Sequence, residues 1–204
     1  MKDAIQDFLG TALPADFSPV AADCIRFLGT PEMETLMLER SPFYFIERAV
    51  AMGTAVWGVA RFSEEHSAGH FPGKPTIPLI ELCKGMAQTG ISLVALLGTP
   101  QEAPIAIGSG PSRALTKDFV QAPATILFNA TLASPPLGLQ AAMVLARGFP
   151  ERIVRKRKLL RKLQFLRRLL FVNAVAYKDG VPIGSLERIT YILVPRRQIM
   201  RGTR

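Results

Sequence analysis

From Pro78 to Leu97 the chain is apolar on nearly every side, interrupted mainly by Glu81, Lys84, Gln88 and Thr89. A helix that is apolar all round is a buried one, so the rest of the chain must close around it. Gly98-Thr99-Pro100 stops it. A stiff loop launches it, Gly69-His70-Phe71-Pro72-Gly73-Lys74-Pro75-Thr76-Ile77-Pro78. Its three prolines fix φ and keep the loop out of helix and central strand. Pro78 is expected to be the first helical residue, where a missing N–H costs nothing. One of the two histidines, His70, therefore precedes a helix N-terminus, where free N–H groups and the macrodipole favour developing negative charge. That combination suits an acid–base site with an oxyanion-stabilising end.

The material to wrap such a helix is β-rich. Thr35-Leu36-Met37-Leu38 and the stretch from Phe43 to Ala49 lead into a first core strand. A second runs from Thr54 to Phe62 and ends at the acidic Glu64-Glu65 turn, with His66 read as a solvated turn residue. Strands are also expected from Ala103 to Gly108, with Pro104 tolerable only near a strand start, and from Ala124 to Leu132. Leu170 to Tyr177, the Lys178-Asp179-Gly180 turn and Val181 to Leu193 read as a closing hairpin, because Asp-Gly between β-rich runs favours a tight turn. Ahead of these, Ala4-Ile5, Phe8-Leu9 and Leu13 suggest a short amphipathic helix ended near Gly10 or Pro14. A second helical turn over 20–28 would follow, the whole covering one edge of the domain.

A chain of 204 residues accommodates one domain with an appendage. Cys24 and Cys83 stand far apart, without metal-type spacing, which argues against a disulfide framework or a structural metal and fits a reducing cytoplasm. The acidic start, Met1-Lys2-Asp3-Ala4-Ile5-Gln6-Asp7, lacks the basic and apolar blocks of a signal peptide. Residues 85–98 come closest to a membrane span but are short and interrupted, so the expectation is a cytoplasmic protein with membrane contact at most peripheral.

Charge is uneven. Residues 1–146 carry 9 basic and 13 acidic side chains, net −4, whereas residues 147–204 carry 16 and 3, net +13. Most of this excess sits in Glu151 to Arg168, which holds nine Lys/Arg and one acid. Leu159, Leu163, Leu166 and Leu170 repeat at helical spacing, with Arg155, Lys158, Arg161 and Lys162 on other sides, the pattern of a basic amphipathic helix. Arg196-Arg197, Arg201 and Arg204 add a basic tail. Acidic carrier protein, anionic membrane or the chain's own domain each suits such a helix. Nucleic acid is disfavoured, since no stacking aromatics interleave with the charge.

The run His70-Phe71-Pro72-Gly73-Lys74-Pro75-x-x-Pro78, with Met86-Ala87-Gln88 following in register, resembles the β-hydroxyacyl-[acyl carrier protein] dehydratases of the FabZ type. Arg40-Ser41-Pro42-Phe43-Tyr44-Phe45-Ile46-Glu47-Arg48 is similar to that family's upstream segment. The resemblance covers roughly residues 36–130 and 170–195. It implies an α+β hot-dog fold, a long central helix wrapped by an antiparallel sheet, and a homodimer that builds its two sites at the subunit interface. It also implies an acyl substrate carried as a thioester on the phosphopantetheine arm of an acyl carrier protein, with no further cofactor. The domain is then expected over 34–195 with the basic insertion at about 135–168, flanked by an extension at 1–33 and a tail at 196–204.

By the same resemblance His70 takes the α-proton of a 3-hydroxyacyl thioester, a role that an imidazole titrating near neutrality suits. Phe71, Pro78, Leu79 and Gln88 line or orient the substrate, and the Leu79 N–H is a donor for the thioester oxygen. The family's second catalytic group is an acid fourteen residues after the histidine, and here that position is Lys84. Glu81, one turn earlier on the same face, is the nearest carboxylate. Three readings follow: Lys84 acts itself with altered chemistry, Glu81 replaces the acid, or the two form a salt bridge in a pocket that has lost dehydration. The last leaves an acyl-thioester hydrolase or a non-catalytic binding homologue.

Overall fold

The computed structural model describes residues 1–19, 21, 24–36, 46–67, 73–99, 101–106, 113–116, 119–148, 165–166 and 168–196. Its centre is helix α3 (Leu79–Leu97), and two interior glycines show how closely the sheet wraps it. A Cβ on Gly85 would land in the Phe128 ring, and one on Gly90 would land on the Tyr191 hydroxyl. Glycine costs an interior helix position about 1 kcal/mol relative to alanine; here the missing side chain is what lets helix and sheet meet. Thr89 and Ser92 back-bond to the Gly85 and Gln88 carbonyls at 2.9 and 3.0 Å, which lets hydroxyls sit fully buried on this helix.

Eight strands form one antiparallel sheet among the described residues. They are β1 (Ile25–Leu28), β2 (Arg48–Met52), β3 (Ala55–Phe62), β4 (Glu102–Ala106), β5 (Arg113–Thr116), β6 (Ala124–Ala133), β7 (Leu169–Lys178) and β8 (Val181–Pro195). Their order is β1-β2-β3-β6-β7-β8-β4, with β5 also paired to β8. Pro104 is tolerated because β4 ends this path and pairs with β8 alone among the named strands. Asp179 and Gly180 close the β7–β8 hairpin with φ of 52° and 78°, the two positive values that a type I′ turn requires and that Asp-Gly supplies.

Both faces of β2, β3 and β6 are buried, which is why these strands read as nearly continuous apolar runs. The inner face (Ala49, Val56, Ala60, Ile126, Phe128) packs on Leu82, Met86 and Leu93 of α3. The outer face (Val50, Met52, Trp57, Val59, Leu127) is covered by Ile5 and Leu9 of helix α1 (Lys2–Leu9), together with Leu13 and Phe17. Phe17 stands edge-on to Trp57 at 5.2 Å between ring centroids. Farther along, Met143 of helix α4 (Leu137–Gly148) packs on Leu169 and Phe171.

Five local readings need correction. The turn expected over 20–28 is instead strand β1 across Ile25–Leu28, held by its pairing with β2. The N-terminal helix covers the outer sheet face, not an edge. Leu36 ends a helix, α2 (Thr30–Leu36), rather than entering a strand; Pro31 and Glu32 favour its first turn. Arg113–Thr116, for which no element was expected, is a strand, since β8 is long enough to pair with both β4 and β5. Finally, α3 is not buried all round. Ile80 is 62% exposed and Lys84, Ala87, Ile91 and Ala95 are half-buried along the same flank, because this chain's sheet embraces only the other side. By length and composition α3 could cross a membrane, yet half of it is buried as the fold's central helix.

The expected segments at 37–45 and 107–108 lie outside the described residues, and so does the expected basic helix apart from Phe165, Leu166 and Arg168.

Candidate functional site

The loop into α3 is pinned before the helix begins. Ile77 N–H donates to the Val120 carbonyl and Ala122 N–H to the Pro75 carbonyl, both at 2.8 Å. Thr76 bridges Gln121 between these two bonds. Gly73 takes a φ of 75°, the left-handed conformation that glycine adopts without penalty. Thr76 and Gln121 were not among the site residues read from sequence. Their pairing is nonlocal and leaves no short-range motif.

Pro78 is the N-cap rather than the first helical residue, with extended angles of −60° and 140°. The shift by one position follows from its carbonyl, which already accepts from Glu81 N–H at 3.0 Å and Leu82 N–H at 3.4 Å. No side chain caps this end. The Leu79 and Ile80 N–H groups therefore have no acceptor among the described residues, while their side chains are 50% and 62% exposed. Phe119, beside the loop's anchor at Val120, is 84% exposed, so an apolar rim surrounds this helix end.

One turn inside, Lys84 Nζ lies 3.4 and 3.3 Å from the two carboxylate oxygens of Glu81, an i,i+3 ion pair. The side chains retain 24% exposure for Glu81 and 40% for Lys84, so the pair is reachable from solvent. Gln88, one turn further on the same flank, is buried at 3% exposure. Cys83 is half-buried against the core, and burial raises its thiol pKa above the ordinary value. It thus faces away from the pair, as the 100° step along a helix predicts.

The structure thus brings Pro78, Leu79, Glu81, Lys84 and Gln88 to one end and one flank of α3. His70 and Phe71 lie outside the described residues, though Gly73 fixes the loop three residues beyond His70. Arg155, Lys158, Arg161 and Lys162 also lie outside them. Chemically, the described part offers two outward N–H donors, an ammonium able to give a proton and a carboxylate able to hold that ammonium in place.

No family model matches the chain. In sequence it is 34% identical over 87 residues to the 3-hydroxyacyl-[acyl-carrier-protein] dehydratase FabZ of Gluconacetobacter diazotrophicus, covering 41% of this chain and 52% of that protein. To the FabZ of Chloroflexus aggregans it is 34% identical over 80 residues, covering 37% and 54%. The chain therefore spans about half the length of the curated relatives it matches. Among solved structures, the dehydratase domain of RzxB from Pseudomonas fluorescens superposes with a TM-score of 0.50 at 10% identity, over 89% of this chain and 53% of that one. The chain has a hot-dog fold, and in sequence it resembles the 3-hydroxyacyl-[acyl carrier protein] dehydratases of the FabZ type.

Proposed function

We propose that this protein dehydrates 3-hydroxyacyl thioesters, carried on an acyl carrier protein, to trans-2-enoyl thioesters. The observation that carries the reading is the uncapped N-terminus of α3, set directly after the His70 loop, with the Glu81–Lys84 pair one turn inside. His70 removes the α-proton, the Leu79 N–H stabilises the charge on the thioester oxygen, and the pair supplies the proton with which the 3-hydroxyl leaves as water. Phe71, Pro78 and Gln88 line and orient the acyl thioester. The phosphopantetheine arm belongs to the substrate, so no other cofactor enters.

A second copy of the chain would cover the half-buried flank of α3, which supports a homodimer. Arg155, Lys158, Arg161 and Lys162 form the docking surface for the acidic carrier protein or, through the exposed Leu137 and Val144 of the preceding helix, for an anionic membrane. Fatty acid synthesis and specialised polyketide or polyene assembly both fit, in the cytoplasm.

The ion pair favours one rival reading. A carboxylate held by an ammonium is a poor proton donor, and a homologue with that arrangement could bind or hydrolyse acyl thioesters without dehydrating them. An assay with 3-hydroxyacyl-[acyl carrier protein] decides, following both enoyl product and free carrier thiol in wild type, His70→Ala and Glu81→Gln. Enoyl product in wild type that is lost in both variants supports the proposal. Free thiol alone means hydrolysis, and carrier binding without either product means a retired site.

A further inference from the structure

At the opposite end of α3 from the His70 loop lies a cavity of about 300 Å³, with Cys24, Arg26, Ala51, Val56, Leu93 and Leu96 among its lining residues. At 1.5 Å per residue, Leu93–Leu97 stand roughly 20–27 Å along the helix from Leu79. The size is at the lower end of small-molecule pockets. Its walls are apolar, apart from one edge.

Strand β1 builds that edge. Arg26 pairs with Ala51 in the β1–β2 register, and Leu28, two residues on, is buried on the inner face. The alternation of a strand therefore turns Arg26 toward the cavity. Its guanidinium has no hydrogen bond or ion pair among the described residues. An unpaired planar cation at the rim of an apolar cleft matches one chemistry, an acid head group joined to an aliphatic tail.

We propose that this cavity binds a single-chain anionic amphiphile, with its head on Arg26 and its tail against Val56, Leu93, Leu96 and Leu97. The site is separate from the proposed reaction centre, and it stands whether or not dehydration does.

The test uses the full chain with decanoate, decyl phosphate and uncharged decanol, each below its micellar concentration, by isothermal titration. Decanoate or decyl phosphate is expected to bind well above decanol, and the tighter of the two names the head group. Arg26→Gln should weaken anion binding about tenfold, the loss of roughly one charge-assisted hydrogen bond. Ala51→Leu should weaken binding by occupying part of the cavity. A readout that needs no variant is alkylation of the exposed Cys24 by iodoacetamide, with half-buried Cys83 as internal reference. Bound decanoate or decyl phosphate should slow Cys24 alone. Equal binding of decanol and both anions, Arg26→Gln binding as wild type, or an unchanged Cys24 rate under saturating anion would overturn the proposal.

Discussion

The hydroxyl of Tyr191 on β8 donates a 2.8 Å hydrogen bond to the carbonyl of Ala87 on α3, tying the far side of the sheet to the central helix across 104 residues of sequence. Tyr191 is fully buried, and burial pushes its pKa well above the ordinary value near 10. The unfolded chain releases this proton as pH rises through about 10 while the folded chain retains it, so the contribution is complete below that pH and declines above it. Tyr191→Phe should cost about 1 kcal/mol near neutrality. Urea midpoints taken between about pH 8 and 11 should fall more steeply for wild type than for the variant.

Gly85→Ala sets two effects against each other. Alanine improves helix propensity by about 1 kcal/mol, but its Cβ would enter the Phe128 ring. Overpacking of this kind costs about 1–3 kcal/mol, so the variant should be the less stable. Adding Phe128→Leu should recover part of the loss, and a double-mutant cycle by urea unfolding measures the coupling.

The Glu81–Lys84 pair should matter little to stability, because both side chains reach solvent. Lys84→Met and Glu81→Gln are each expected to shift unfolding free energy by less than about 1 kcal/mol. Turnover of a 3-hydroxyacyl thioester should drop by at least about tenfold in each if the pair delivers the proton. Equal losses of stability and turnover would instead mark it as a structural contact.

Trp57 is the only tryptophan and reports on the outer layer. Leu9→Ala, at a fully buried position of α1, should cost about 2–5 kcal/mol. Phe17→Ala removes the ring that stands against the indole, so emission should shift to the red while the α3 side of the fold stays intact.

Helix α3 and the β7–β8 hairpin were legible because each carries its own signal: a long apolar run behind a proline loop, and Asp-Gly between β-rich segments. The i,i+3 spacing likewise anticipated the Glu81–Lys84 contact. Strands β1 and β5 were not legible, since both are four residues long and hold their conformation by pairing with distant chain. Helix α2 did carry a start signal in Pro31 and Glu32, but its last residue, Leu36, opens an apolar cluster that reads equally well as strand. The open flank of α3 could not be read at all, because an apolar side chain looks the same whether its own chain or another body covers it.

The outer layer also constrains the order in which the chain can finish folding. Ile5 and Leu9 leave the ribosome well before Leu127, which is part of their resting place, so the seat is incomplete until β6 has been made. At about 5–20 residues per second that delay is on the order of ten seconds. Through it the apolar face of α1 has no completed partner. Docking of the first residues is therefore a late event in biosynthesis, and a nascent chain stalled between β3 and β6 would present that face to chaperones.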